Sequence, residues 1–514
     1  MSAAATDEVV YLDHNATTPV APEVLEAMLP YLRGELGNPS SDHALGRRAR
    51  YAVDTARAQV AALIGAAPSE VVFTSGGTES NNLAIRGVAA QAPPTRRRIV
   101  TSAVEHPATT APLALLEASG WTLTRVPVAV SGILDLDAAL AALGDDVVLV
   151  TVMLAQNETG ALMPVAALAA AARAHGAVVH TDAAQAIGKI PVSVDDLGVD
   201  LLSIAGHKCY GPKGVGALYV RLGTALSPLV VGAGEEGGLR PGTENVAGIV
   251  GLGAAARLAM DHLEADTARL AQLRDELWRA LSARVDGIRR HTPDDASLPN
   301  TLLVSFPGFL GADVLARCPR LVASTGSACH AGEHAPNATL LAMGVDPEVA
   351  LGAVRLSLGR DTTQADVEAA IELLAGAHEA LSPQRRHRPV PARAKERPMK
   401  ILVVLNDPPY GTERSYNGLR LAGALSKRDG VDVRVFLFGD AVGCAIRNQK
   451  VPDGYYHLDR MVTVVLRHGG EIGCCGTCMD ARGLADELLV DGARRSTLEE
   501  ATDWTIWADK VVSF

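Results

Sequence analysis

Aromatic side chains are scarce, with Phe, Tyr and Trp making up only 4% of the 514 residues. A core with so few rings must be packed from Ala, Val and Leu, and a hydrophobic fraction of 48% supplies them. That fraction excludes a disordered chain. Basic charge is not in excess either: the formal net charge is −11, so no broad footprint for nucleic acid is expected. No apolar stretch reads as a membrane span. The opening MSAAATDEVV lacks the basic n-region and apolar run of a secretory signal. Cysteine is sparse and odd in number, seven in all, with no disulfide-scaffold spacing. Together these point to a cytoplasmic location, with some thiols kept for chemistry.

A chain of this length predicts two or three domains. The clearest boundary is SPQRRHRPVPARAKERP, residues 382–398, with six Lys/Arg against one Glu, interspersed prolines and no apolar periodicity. Such a segment reads as a semi-extended linker. It separates residues 1–381 from residues 399–514, where MKILVVLND begins a new α/β pattern. Before the linker, apolar strand-like runs such as VVFTS, VVLVTVML, AVVHTDA and DLLSIAG alternate with helical patterns. That alternation predicts a mainly parallel sheet covered on both faces. Residues 246–284 read as one long helix leading to a smaller α/β portion, about 285–381, completed by the N-terminal segment.

Several residues in the first domain could carry chemistry. Lys208, in GHKCYGPKG, follows a predicted strand and becomes a nucleophile if desolvated or set near other cations. Alone it reads as a surface lysine. Asp182 ends an apolar strand in HTDAAQ, where a buried carboxylate needs a cationic partner or serves as a helix N-cap. Gln185 lies one turn later. Gly76, Gly77 and Thr78 open a helix directly after a strand, an arrangement suited to a phosphate ester. His106 in VEHPA and Asn157 in QNETG read individually as turn or capping residues. Cys329 lies in STGSACHAGEHAPNA, rich in small residues as a mobile loop is; a small buried cysteine is the ordinary alternative. Arg355, in VRLSLGR, offers a planar fork for a carboxylate or a structural ion pair.

The set YLDHNATTP, FTSGGTESNN, VEHPA, QNETGALMPV, HTDAAQ, GHKCYGPKG, LRPGTENV, STGSACHAG and VRLSLGR, running through roughly residues 9–381, resembles a cysteine desulfurase of the class V aminotransferase superfamily. The context of Cys329 resembles the long-loop, NifS/IscS-like type. The resemblance implies a fold-type I enzyme dependent on pyridoxal 5′-phosphate (PLP), acting as an obligate homodimer. It implies that Lys208 is the Schiff-base lysine, Asp182 the pyridine partner, Gln185 the ring-hydroxyl partner and His106 the stacking and acid/base histidine. Gly77, Thr78 and His207 match the phosphate site, with Thr243 reaching over from the other subunit. Arg355 matches the clamp on the substrate carboxylate, and Asn157 serves the cofactor oxygen or the substrate carboxylate. The implied reaction converts L-cysteine to L-alanine with a persulfide on Cys329, passed on to acceptors such as an iron–sulfur scaffold or sulfur-relay proteins. Two departures stand out. Ala205 occupies the family's phosphate-binding serine position, leaving Ser203 as a substitute hydroxyl, and GAGEEGGLRPGT carries Glu235 and Pro241 in place of the usual loop sequence.

After the linker, EIGCCGTCMDARG holds three cysteines within five residues. Zinc is disfavoured because no second Cys or His pair follows at ligand spacing, so no metal is expected. Cys475 and Cys478 also form a CxxC, a candidate redox dithiol. ILVVLNDPPYG, FLFGDAV, CCGTCMDARG and WTIWADKVVSF resemble a DsrE-like sulfur-carrier domain, which implies that Cys475, with Cys478 second, accepts sulfur; Cys444 reads as core. Two alternatives remain for the whole chain: a selenocysteine lyase, and a sulfur-carrier or regulatory module on a degenerate PLP fold. A class V aminotransferase passing amino groups would have no use for Cys329.

Overall fold

The computed structural model describes residues 9–326, 335–386, 399–428, 430–451 and 456–514. The chain divides into two compact units between residues 387 and 388. In the first, seven strands form one sheet: β1 (Val71–Thr74), β2 (Arg98–Ser102), β3 (Thr122–Val126), β4 (Val147–Thr151), β5 (Val178–Asp182), β6 (Leu201–Ala205) and β7 (Gly216–Val220), in the order β1-β7-β6-β5-β4-β2-β3. All neighbours are parallel except β7, which is antiparallel to both β1 and β6. The central strands VVLVT and LLSIA are buried at every position. Burial on both faces explains why their sequences are continuous apolar runs without alternation.

Val246–Arg284 is a single helix, as its sequence predicts, and it packs against the helices Pro22–Arg33 and Ala44–Ile64. The close approach requires small residues: a Cβ on Gly253 would come within 2.6 Å of Ala56. Contrary to the expectation of no span-like stretch, this helix is long and apolar enough to cross a membrane by length and composition. Half of its apolar window is buried inside the unit, the pattern of a core helix. Beyond it lies a small antiparallel sheet, β8 (Arg289–Arg290), β9 (Thr301–Ser305) and β10 (Ala353–Ser357), in the order β10-β9-β8. The N-terminal Val10–Tyr11 pairs in parallel with Leu321–Val322, so the chain start belongs to this small portion. The last helix runs Gln364–Arg386, five residues past the boundary expected at 381. Gln384, Arg385 and Arg386 have good helix propensity, which the basic composition masked.

The second unit is a five-stranded, wholly parallel sheet: β11 (Met399–Leu405), β12 (Val431–Leu437), β13 (Glu471–Cys475), β14 (Ala493–Ser496) and β15 (Lys510–Ser513), in the order β14-β13-β12-β11-β15. Phe436, Leu402, Val435, Cys444, Cys474 and Trp504 belong to its core.

One loop of the first unit is held by a buried charge. Glu236 accepts from both terminal nitrogens of Arg57, at 2.6 and 2.8 Å, and from the Phe73 N–H at 2.7 Å. Its side chain is only 3% exposed. The residue has φ 50°, strained for a non-glycine, so the contacts must outweigh the backbone cost. Glu235, the conspicuous departure in sequence, is instead on the surface and accepts from the Gly242 N–H. Glu236→Ala leaves Arg57 half-buried without its partner and keeps the strain. It is expected to destabilise the first unit by about 3–5 kcal/mol, read as a lowered urea midpoint of that unit's transition, with Glu236→Gln intermediate.

Candidate active site

The C-terminal ends of β4, β5 and β6 open into a cavity of about 400 Å³. Its lining includes Asn15, Gly77, Thr78, His106, Asn157, Asp182, Gln185, Ala205, His207, Lys208 and Arg355. Ligands of open parallel sheets bind at this edge. Nearly every cofactor and substrate residue expected from the sequence is therefore brought together. Thr243 is exposed and not among the lining residues; Cys329 lies outside the described residues.

Lys208 follows β6 in a short 3-10 turn and donates to the carbonyls of Asn15 and Ala16, at 2.7 and 2.8 Å. Burial, and then the nearby Arg355 cation, push its pKa down to about 8. Asp182 ends β5. Asn81 donates to its Oδ2 at 2.6 Å and the Ala184 N–H to its Oδ1 at 2.9 Å. Such a carboxylate is fixed in orientation beside the cavity. His106 turns out to be both a cap and a site residue: its Nδ1 accepts from the Ala108 N–H at 3.1 Å, so Nε2 is the nitrogen left for other partners. Burial lowers its pKa, keeping the ring neutral.

Arg355 projects from β10. It donates to Asp13 at 2.7 Å and to the Asn157 carbonyl at 3.0 Å. Its Nε is buried without a partner, a donor waiting for an acceptor. Gln185 donates to the Asn15 carbonyl at 2.9 Å and accepts from Lys189 Nζ at 2.6 Å, which leaves one amide N–H free to serve the cavity.

Gly76 caps the helix Gly77–Gln91 at φ 150°, ψ −179°, a conformation open to glycine, and a Cβ on Gly216 would come within 2.7 Å of its Cα. Beside it a second cavity of about 420 Å³ is lined by Thr17, Ser75, Gly76, Gly77, Thr78, His207 and Lys213. Ser203 does not replace the missing hydroxyl of Ala205. Its Oγ is bonded to His180 Nε2 at 2.9 Å, and His180 Nδ1 to Thr151 Oγ1 at 2.8 Å. This row crosses β4, β5 and β6 below the cavity, and burial pushes His180 down to about 4.

Sequence reasoning missed four residues. Asn15 and Asp13 lie in a quoted motif but received no role. Asn81 lies one turn beyond Thr78, a spacing that places it on the same helix face. Lys189, four residues after Gln185, is 8% exposed, and burial lowers its pKa to about 7. The i, i+4 spacing was the available signal.

In the second unit, Cys475 ends β13 and Cys478 lies in the helix Gly476–Asp480. Cys444 and Cys474 are fully buried, and burial pushes both thiols up to about 12. Cys475 is 8% exposed, whereas Cys478 alone among the described cysteines is not buried. Among the described residues, no group of three or more His, Cys, Asp or Glu side chains is placed to hold a metal ion.

A family model described as Aminotransferase class-V matches residues 10–370, and one described as DsrE/DsrF-like family matches residues 399–514. Cysteine desulfurase IscS of Dictyoglomus turgidum is 44% identical over 367 residues, covering 71% of this chain and 93% of its own length. A cysteine desulfurase of Cereibacter sphaeroides is 47% identical over 371 residues, covering 71% and 95%. Among solved structures, a NifS-like protein is similar with a TM-score of 0.68 at 38% identity, covering 73% of this chain and 99% of its own. SspA in complex with cysteine gives 0.61 at 36% identity, covering 68% and 98%. With the matched region spanning the cavity and its lysine, the chain belongs to the cysteine desulfurases, PLP-dependent sulfurtransferases of the class-V aminotransferase family, and carries a DsrE-like domain after the catalytic one.

Proposed function

We propose that this cysteine desulfurase acts on L-cysteine, forms a persulfide on Cys329, and passes that sulfur to the cysteines of its own DsrE-like domain. The observation that carries the reading is the convergence of Lys208, Asp182, His106 and Arg355 on one cavity. SspA, a structural neighbour, was solved with cysteine bound, which supports the substrate.

The residues present fit PLP. A fixed carboxylate, Asp182, suits a protonated pyridine nitrogen; the glycine turn at Gly76 and Gly77, with Thr78 and His207, suits a phosphate; a lysine depressed to about 8 suits covalent attachment. When bound, PLP supplies an electron sink for charge developing at the substrate α-carbon. The unpartnered Nε of Arg355, with the adjacent terminal N–H, grips the substrate carboxylate in a bidentate fork. Lys208, neutral enough near pH 8, would move the proton at that carbon. Cys329 then attacks the substrate sulfur as a thiolate. The C–S bond breaks, the cysteine thiol becomes a persulfide, and L-alanine leaves. His106, with Nε2 uncommitted, is placed to exchange a proton in these steps.

The assembly we propose is a homodimer, to which the exposed Thr243 contributes at the partner's phosphate site. Placing donor and acceptor thiols on one chain raises their effective concentration to roughly millimolar, above that of most free acceptors. Iron–sulfur scaffolds or sulfur-relay proteins are the onward acceptors.

Four results test this reading. Lys208→Ala is expected to abolish both turnover and the visible absorption of the bound cofactor; a retained band, trapped by borohydride on another lysine, would reassign the site. Cys329→Ser is expected to keep the band and lose sulfide release from L-cysteine, while residual turnover of selenocysteine would favour the lyase alternative. With the cofactor removed, reductive methylation of Lys208 should rise with pH and level off above about 8, because its neutral form dominates there. Exposed lysines should keep rising toward about 10.4, and peptide mass spectrometry separates the two. In a single turnover of a chain carrying Cys475→Ser, radiolabel from L-cysteine is expected on Cys329 first and on the 475–478 segment later; no label on that segment would refute the internal relay.

A further inference from the structure

The turn that carries Cys475 and Cys478 is held from two sides. Arg482 pairs with Asp440 at 2.6 and 2.8 Å and donates to the Cys478 carbonyl at 3.0 Å. Next to Asp440, the Gly439 N–H donates to Cys478 Sγ at 3.2 Å. From the other side, Arg495 donates to the Gly476 carbonyl at 3.2 Å and pairs with Asp480 and Asp486, at 2.9 and 2.7 Å. A lone carrier thiol on a surface turn has no need of two arginine clamps. Burial, and then the neighbouring Cys478 thiol, raise the pKa of Cys475. Cys475 is the N-cap and Cys478 lies in the first turn of the helix that follows, and a disulfide between them requires their Cβ atoms to come within about 3.5–4.5 Å, an adjustment of the backbone at that turn. The two thiols differ in access: Cys478 is partly exposed and Cys475 is 8% exposed.

We propose that Cys478 and Cys475 form a two-thiol sulfide-releasing unit, in which Cys478 takes up a persulfide sulfur and Cys475 expels it as hydrogen sulfide. In the first step the Cys478 thiolate attacks the outer sulfur of a donor persulfide. A sulfur–sulfur bond forms, the donor's sulfur–sulfur bond breaks, and the donor thiol leaves. In the second step the Cys475 thiolate attacks Cys478 Sγ. The bond from Sγ to the outer sulfur breaks, hydrosulfide leaves and takes a proton from water, and the Cys475–Cys478 disulfide forms. The outer sulfur is reduced to sulfide while the two cysteine sulfurs are oxidised to the disulfide, so the step balances within the domain. A further round requires reduction by an external dithiol. This assignment reverses the order implied by resemblance, which puts the acceptor at Cys475, and gives the second cysteine a task of its own. Cys444 and Cys474 are too deeply buried to compete.

The test uses the full-length chain carrying Cys329→Ser, so that desulfuration and any internal relay are silent, with glutathione persulfide as the sulfur source. Expected is about one equivalent of sulfide per chain above the donor's own background, matched by a Cys475–Cys478 disulfide in non-reducing peptide maps. Adding Cys475→Ser should trap the persulfide on Cys478 and remove that burst. Adding Cys478→Ser should slow uptake at least tenfold, since only a buried thiol remains. Persulfide accumulating on Cys478 of the intact pair, without disulfide, would overturn the proposal. So would disulfide without matching sulfide, or uptake by Cys475 alone at an undiminished rate. The intact-pair map needs no substitution in this domain, so misfolding of a variant cannot decide the result. Because the donor is added directly, a failed relay from Cys329 leaves this outcome unaffected.

Discussion

Asn15, 1% exposed, ties the catalytic floor together by using every hydrogen-bonding group it has. Its carbonyl accepts from Lys208 and Gln185, and its side-chain oxygen from Lys189 and Asn300. Its amide donates to Thr301 on β9 and to the Asn157 carbonyl, and its backbone N–H to Ser357 on β10. One asparagine thus joins the small antiparallel sheet to the end of the large parallel one. Burying Lys208, Lys189 and Arg355 in one neighbourhood is costly, because desolvation and mutual repulsion both act against the charged forms. Asn15 supplies oppositely oriented dipoles for both lysines, and Asp13 supplies the counter-charge for Arg355. A network of this kind is strong only when complete, since each broken bond strands a buried group.

Strands of the large sheet were legible because burial on both faces writes an unmistakable apolar run, as in VVLVT and LLSIA. The long helix at Val246–Arg284 was legible for a related reason, though its apolar half conceals how much of it is core. In the second unit, β13 and β14 were not visible. EIGCC owes its strand state to parallel pairing with β12, and ARRS is an edge strand that is mostly not buried; neither has the β-branched content that marks a strand. The site residues were legible through motifs, most of which place a polar residue at or after the end of a strand, with Arg355 inside β10 the exception. Asn15 and Asp13 were not, because their importance comes from long-range hydrogen bonds that no local pattern encodes; Lys189 was marked only by its i, i+4 spacing from Gln185.

The departures from the family pattern resolve unequally. Glu235 is conspicuous in sequence but only half-buried at the surface of the fold, while its neighbour Glu236 takes the buried ion pair with Arg57. A charge two residues from a glycine-rich stretch gives no sign of which carboxylate turns inward; the φ of 50° at Glu236 decides it by aiming that side chain at β1.

Ala205 poses the sharper question of how a phosphate is held with one hydroxyl fewer. Ser203 cannot be recruited, because freeing its Oγ would leave a buried, neutral His180 with an unsatisfied ring nitrogen, a loss of about 1–3 kcal/mol. A Cβ on Gly77 would already come within 3.2 Å of the Ala205 methyl, so these two small residues bring the sheet end and the helix start close together. The remaining hydroxyls around the adjoining cavity are Thr17, Ser75 and Thr78, and Lys213 adds a cation there. Thr17 is itself bonded to His207 Nδ1 at 3.1 Å, and burial beside Lys208 pushes His207 down to about 4. A neutral His207 contributes a dipole and no charge. With the Gly76 N–H committed to Thr74 Oγ1 at 3.3 Å, the proposed phosphate site would rely on the backbone N–H groups of Gly77 and Thr78 and on Lys213, which would make the helix start, and not a side-chain hydroxyl, the principal anchor.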